Sequence, residues 1–231
     1  GWQWEGTWGG FTGTPVAEHY FLSAQHIGGA VGDAFVFRGK TYVTTACFDD
    51  PQSDLRLWRI NESFPDWAPL HRKNDETGKA LVVFGRGLGR GSEVRVNNVL
   101  KGWQWGGGGG VLRWGRNTIS GFANGPSVTN GLLRVAFDAS GGDDEAHMAL
   151  GDSAGGVFVQ DSGAWQLAGI NYAVDASFNT TSSGSGFNAA LFDVQGQLLH
   201  PSPDPGSVFL SGSCASKFWC PVSQGGTWKA L

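Results

Sequence analysis

Gly151-Asp152-Ser153-Ala154-Gly155-Gly156 sets one serine among glycines, a pattern suited to acyl transfer. The glycines let the backbone turn sharply, so the hydroxyl is exposed and nearby N–H groups face outward. An exposed Ser Oγ can form an acyl-enzyme, and outward N–H groups stabilise the oxyanion of a tetrahedral intermediate. Such a serine needs a His to take its proton and a carboxylate to hold that His in one tautomer. His26 closes the apolar run Tyr20-Phe21-Leu22-Ser23-Ala24-Gln25. Asp54 stands directly before the strand-like run Leu55-Arg56-Leu57-Trp58-Arg59-Ile60, which would fix its position. Asp49 and Asp50, in the same turn, remain alternative acids.

Three segments carry a resemblance. Leu22-Ser23-Ala24-Gln25-His26, Asp54-Leu55-Arg56-Leu57 and Gly151-Asp152-Ser153-Ala154-Gly155-Gly156 resemble the active-site segments of the chymotrypsin-like serine peptidases. Their usual forms there are Leu-Thr-Ala-Ala-His, Asp-Ile-Ala-Leu and Gly-Asp-Ser-Gly-Gly. The order His26, Asp54, Ser153 is the chymotrypsin order, not that of subtilisin or the α/β-hydrolases. The resemblance implies a serine endopeptidase with His26, Asp54 and Ser153 as catalytic residues and the N–H groups of Gly151 and Ser153 as oxyanion hole. It implies an all-β fold of two antiparallel β-barrels with the active site in the cleft between them. The N-terminal barrel would be residues 1–88, with His26 and Asp54; the C-terminal barrel would be 89–231, with Ser153. Motif order matches over about 10–175, and the tail of about 207–231 lacks the expected helix chemistry. Ile27 follows His26 where mammalian members carry a Cys, which points to a bacterial or fungal type. The family is secreted, so an extracellular or periplasmic location is expected, the chain being a mature form without signal peptide.

The resemblance also frames specificity. In trypsin-like members an Asp six residues before the serine binds Lys or Arg, and here that position is His147. With His147, Met148, Ala173 and Val174 as substrate-binding residues, a neutral or apolar side chain is expected at the cleavage site. Gly186 or Gly206 would supply the opposite wall. The acid before the serine pairs with a newly cut N-terminal amine in many members. Asp152 occupies that place, but no Ile-Val-Gly-Gly-type segment is visible, so another partner is expected.

Gly151-Asp152-Ser153-Ala154-Gly155 also fits the Gly-x-Ser-x-Gly elbow of α/β-hydrolases, with Asp193 and His200 as partners for an esterase. That elbow must open a helix. Residues 156–170 read instead as a β-hairpin, with Asp161-Ser162-Gly163 as its turn. A third reading is a non-catalytic binding module that uses the Trp-rich surface.

The elements that must position these residues read as strands. Gly is 38 of 231 residues, about twice average usage, and no long stretch shows a helical period. Strand-like runs fall at 20–24, 34–38, 41–45, 55–60 and 80–84 for the first barrel. For the second they fall at 92–97, 111–117, 132–138, 156–160 and 165–174. Gly102-Trp103-Gln104-Trp105 reads as a strand with one packed face, and the five glycines 106–110 as a mobile hairpin tip. Hydrophobic residues at 40% supply a sizeable core.

The remaining chemistry narrows the partners to a protein or peptide substrate. A net charge of −4 without Lys/Arg clusters argues against nucleic acid. No apolar run approaches membrane-spanning length, and a monomer is expected. No cofactor and no metal is implied: no Cys/His spacing suits zinc, and Asp143-Asp144-Glu145 reads as a solvated acidic turn. Of three cysteines, Cys214 and Cys220 are close enough for a local disulfide, leaving Cys47 as a buried thiol.

Overall fold

A computed structural model describes residues 1–124, 131–174, 177–179, 186–193, 200–201 and 215–219. Their architecture is all-β, with antiparallel strands arranged as two closed six-stranded barrels and one five-stranded sheet. Among the described residues no helix is long and apolar enough to cross a membrane.

The first barrel runs β1(Gly6–Trp8), β2(Phe11–Ala17), β3(Tyr20–Ala24), β4(Ala34–Phe37), β5(Lys40–Asp49) and β6(Leu55–Ile60), closed in the order β1-β2-β3-β6-β5-β4. Its sequence alternates as a half-buried strand must: in β4, Phe35 and Phe37 point inward while Ala34 and Val36 point out. The core is aromatic, with Trp8, Phe21, Phe35, Phe37, Tyr42, Trp58 and Phe64 packed together. Cys47 is exposed, against the expectation of a buried thiol. Tyr42 and Thr44 face inward on β5, but a bulge between Thr44 and Ala46 breaks the alternation, and Cys47, Phe48 and Asp49 beyond it are all exposed.

The second barrel joins β7(Ala80–Gly85), β10(Arg113–Ala123), β11(Leu132–Ala136), β12(Gly156–Asp161), β13(Ala164–Val174) and β17(Ala215–Trp219). The hairpin expected over 156–170 is β12–β13, and Ser162 and Gly163 at its tip take φ of 50° and 84°. Two successive positive φ values match the right-handed twist of the flanking strands. An antiparallel hairpin after Ser153 leaves no helix for an α/β-hydrolase elbow to open.

Two strands sit where the sequence does not place them. The run at 80–84 was expected in the first barrel; β7 instead pairs with β10 and β12 of the second. The chain crosses between barrels within 61–79, where His71 N–H donates to the Leu167 carbonyl and Leu167 N–H to that of Pro69. The run at 92–97 becomes β8(Arg90–Val96), which with β9(Val99–Trp105), β14(Ser177–Asn179), β15(Phe187–Leu191) and β16(His200–Pro201) forms the separate sheet. Alternation says that a segment is a strand but not which neighbour it pairs with. The glycines 106–110 are not a hairpin tip either, since β9 and β10 do not pair with each other.

A shared cluster joins the barrels. Leu22, Ala24, Leu55 and Leu57 of the first pack with Phe84, Leu132, Ala154, Phe158, Leu167 and Ile170 of the second. The strands that lead into His26 and away from Asp54 are thus anchored against the barrel that carries Ser153.

Candidate active site

β3 ends at buried Ala24, and the chain then makes a short 3₁₀ turn over Gln25–Ile27, closed by Gly28 at φ 74°. The turn lifts the His26 side chain to 40% exposure. Asp54 lies in the β5–β6 connection with its side chain 12% exposed. Its Oδ2 is 2.5 Å from His26 Nδ1, and its Oδ1 accepts the His26 backbone N–H at 3.0 Å. The same carboxylate therefore orients both the ring and the backbone that bears it.

The alternative acids are engaged elsewhere. Asp50 accepts from Ser53 Oγ and the Gln52 N–H inside its own turn. Asp49 pairs with Arg56, whose guanidinium holds the Asp49 carboxyl below the usual carboxylate range. Gln25, which sequence reasoning passed over, fastens this turn. The carbonyls of Asp50, Ser53 and Leu55 converge on its Nε2 at 2.8, 2.8 and 3.0 Å, and its N–H donates to the Asp54 carbonyl.

Ser153 reaches the same place from the other barrel, on the loop before β12. Its Oγ is 2.8 Å from His26 Nε2. An ionised Asp54 only accepts, so Nδ1 carries the imidazole proton and Nε2 is left to accept from the Ser153 hydroxyl. Gly151 takes φ 97°, a conformation open to glycine, and Ala154 takes φ 63°. Neither the Gly151 nor the Ser153 N–H is spent on another group among the described residues.

Asn171 of β13 grips the back of this loop. Its Nδ2 donates to the carbonyls of Asp152 and Phe84 at 2.8 and 2.7 Å, and its carbonyl accepts the Ala154 N–H. A polar residue following Leu167, Ala168 and Ile170 in a buried strand is the signal that marks it in the sequence. Glu5 packs behind the loop at Gly156. Burial pushes its carboxyl up to about 8, against the pull of the Gly156 N–H and the Thr14 hydroxyl. Its Oε2 is buried without a hydrogen-bond partner among the described residues, as suits a protonated acid.

Asp152 has the other partners that the sequence left unnamed. Its Oδ1 accepts the Gly87 N–H at 2.6 Å and its Oδ2 the Ala149 N–H at 2.8 Å. Burial raises its carboxyl above the ordinary value, opposed by those two N–H groups and the Arg113 charge.

The expected specificity residues do not gather around Ser153. Met148 is buried in the second barrel's core, and Val174 packs on the same cluster. His147 and Met148 border a cleft of about 370 Å³ whose walls include Trp103, Trp105, Trp114 and Asp152 but neither His26 nor Ser153. Ala173 and Val174 are half-buried on β13 and do not line it. Burial lowers the His147 imidazole to about 4, opposed by its hydrogen bond to the Met148 carbonyl, so it is neutral at pH 7. Spacing from the serine locates His147 along the chain but cannot say which side of the loop its ring occupies. Tyr172 of β13, in the run Gly169–Val174 that resembles the family's substrate-pairing strand, brings its ring edge-on to that of His26 at 6.2 Å between centroids.

Gly186 is exposed, while Gly206, Cys214 and Cys220 lie outside the described residues. So does the His200 side chain; Asp193 accepts from the Ala139 N–H and donates its own N–H to the Phe137 carbonyl. Asp143 and Asp144 are exposed, and among the described residues no group of three or more His, Cys, Asp or Glu is placed to hold a metal ion.

No protein-family model and no curated protein matches the chain. Among solved structures it is similar to the passenger domain of plasmid encoded toxin, an autotransporter enterotoxin from enteroaggregative Escherichia coli. The TM-score is 0.49 and the identity 16%, over 78% of this chain and 20% of that one. The chain thus spans about a fifth of that protein's length.

Proposed function

We propose that this protein is a secreted serine endopeptidase of the chymotrypsin-like fold. The observation that carries the reading is the chain of contacts Asp54 Oδ2–His26 Nδ1 (2.5 Å) and His26 Nε2–Ser153 Oγ (2.8 Å), made across two barrels. Ser153 Oγ attacks the scissile carbonyl as His26 Nε2 takes its proton. Asp54 stabilises the imidazolium that forms. The oxyanion is received by the N–H groups of Gly151 and Ser153. His26 then protonates the leaving amine, and water resolves the acyl-enzyme by the same steps in reverse order. An extended peptide lies in the groove between the barrels. A neutral or apolar side chain at the cleavage site is proposed because the position six residues before Ser153 is His147 rather than an acid.

Labelling with a fluorophosphonate serine-hydrolase probe, mapped by mass spectrometry, tests the reading. Label is expected on Ser153, lost in His26→Ala and kept in His200→Ala. Loss in His200→Ala instead would support the esterase reading, and no label on any form would support the binding module. Cleavage of a peptide library only after Lys or Arg overturns the specificity.

A further inference from the structure

We propose that the segment 86–89 between β7 and β8, braced by the five glycines 106–110 and by Arg113, is the positioning device that holds the Gly151 N–H ready for the oxyanion. The inference rests on the peptidase reading above and extends it to residues that touch no reacting atom.

Two successive N–H groups of the segment hold the nucleophile loop. Gly87 N–H donates to Asp152 Oδ1, and Leu88 N–H donates to the Leu150 carbonyl at 3.0 Å. The second bond fixes the peptide between Leu150 and Gly151. In a trans peptide the C=O and the N–H point in opposite directions. With the Leu150 carbonyl turned toward Leu88, the Gly151 N–H is turned away from the segment. The first bond fixes the residue between the two oxyanion donors.

The fit requires glycine. A Cβ on Gly87 would stand 2.6 Å from Asp152 Cγ, and one on Gly85 would run into Asp152 Oδ1. A Cβ on Gly151 would meet Gly87 Cα at 3.1 Å. The two backbones can therefore approach this closely only while these positions lack side chains.

The glycines 106–110 close the device from outside. Gly89 N–H donates to Gly107 O and Gly106 N–H to Gly89 O; Gly110 N–H donates to Arg86 O. Arg86 Nη1 returns a bond to Gly110 O at 2.9 Å. Arg113 spans both strips, with Nη1 on Gly87 O at 2.9 Å and Nη2 on Gly108 O at 2.8 Å. A planar guanidinium makes two such bonds in fixed geometry, and an ammonium does not.

The test compares wild type, Arg113→Ala, Arg113→Lys and Gly87→Ala by peptide hydrolysis and by affinity for a peptide boronate, which forms a tetrahedral adduct on a serine. Misplacement of an oxyanion donor removes stabilisation of the transition state and leaves ground-state binding alone. In Arg113→Ala and Gly87→Ala, kcat is expected to fall by at least about tenfold, with KM within about threefold and boronate affinity falling in step with kcat. Arg113→Lys is expected to lie between Arg113→Ala and wild type. Wild-type kcat in variants that keep a cooperative thermal transition, or a loss confined to KM, overturns the brace alone. If Gly87→Ala does not fold, Arg113→Lys decides by the same split. A wild type that neither hydrolyses peptide nor takes label at Ser153 overturns the peptidase reading and the brace together.

Discussion

Asp54 is one of three carboxylates within six positions, and what singles it out is where its neighbours' charges go. Asp49 is matched to Arg56 and Asp50 to its own turn, leaving Asp54 to face His26. Gln25 makes that choice permanent by drawing three carbonyls of the turn onto one amide. Gln25→Ala is expected to cost about 1–2 kcal/mol of stability, since buried carbonyls lose their donor. On the proposed peptidase reading it should also lower kcat by about tenfold or more, because a small displacement of Asp54 changes the line from His26 Nε2 to Ser153 Oγ. Gln25→Glu should be worse than Gln25→Ala, as carboxylate oxygens would face the same carbonyls. Urea denaturation and steady-state kinetics on the two variants check this; equal stability for both would show that Nε2 does not hold the turn. The types and order of His26, Asp54 and Ser153 are legible from the sequence because each stands in a distinctive local context. Gln25 is not, since its worth lies in carbonyls that a turn 25 residues away brings to it.

At the scale of elements, the Ser153 loop is held by β7, β13 and the 86–89 segment, none adjacent to Ser153 in sequence. The closeness is extreme at Gly155, where an added Cβ would collide with the Phe84 carbonyl oxygen and stand 2.7 Å from Asn171 Nδ2. Gly155→Ala is expected to cost about 1–3 kcal/mol or more from overpacking and to abolish labelling of Ser153. Gly107→Ala offers the contrast: a Cβ there meets nothing within 4 Å, and stability should stay within about 0.5 kcal/mol of wild type. Thermal midpoints of the two variants separate them, and a neutral Gly155→Ala would refute the tight approach. The hairpin β12–β13 was legible because alternation and its turn residues agree. The membership of β7 was not, since its partners β10 and β12 lie about thirty and seventy-five residues further on. Nor did five consecutive glycines say whether they were free or fastened.

Across the whole molecule, two buried titratable groups set a pH window for stability. Glu5 titrates at about 8 when folded and near 4.5 when unfolded. Between those values the unfolded chain gives up its proton first, so the Glu5 contribution to stability is lost as pH rises from about 4.5 to about 8. His147 titrates at about 4 when folded and near 6.5 when unfolded, so stability is lost as pH falls from about 6.5 to about 4. Glu5→Gln is expected to flatten the alkaline decline and His147→Asn the acid one. Thermal midpoints measured from pH 4 to 9 check both, and a decline above pH 6.5 that persists in Glu5→Gln would place its cause elsewhere.

By itself the sequence determined the class of structure, many short antiparallel strands, and singled out in order the three residues, His26, Asp54 and Ser153, that the fold brings into contact. Both are local properties: alternation, turn chemistry and motif context are written within a few residues. Tertiary structure alone decided how Asp49 and Asp50 are engaged away from His26, which barrel receives β7, what holds Asp152, and that Cys47 faces solvent while Met148 does not. These depend on contacts between residues far apart in the chain, where a one-residue change of register reverses which face a side chain occupies.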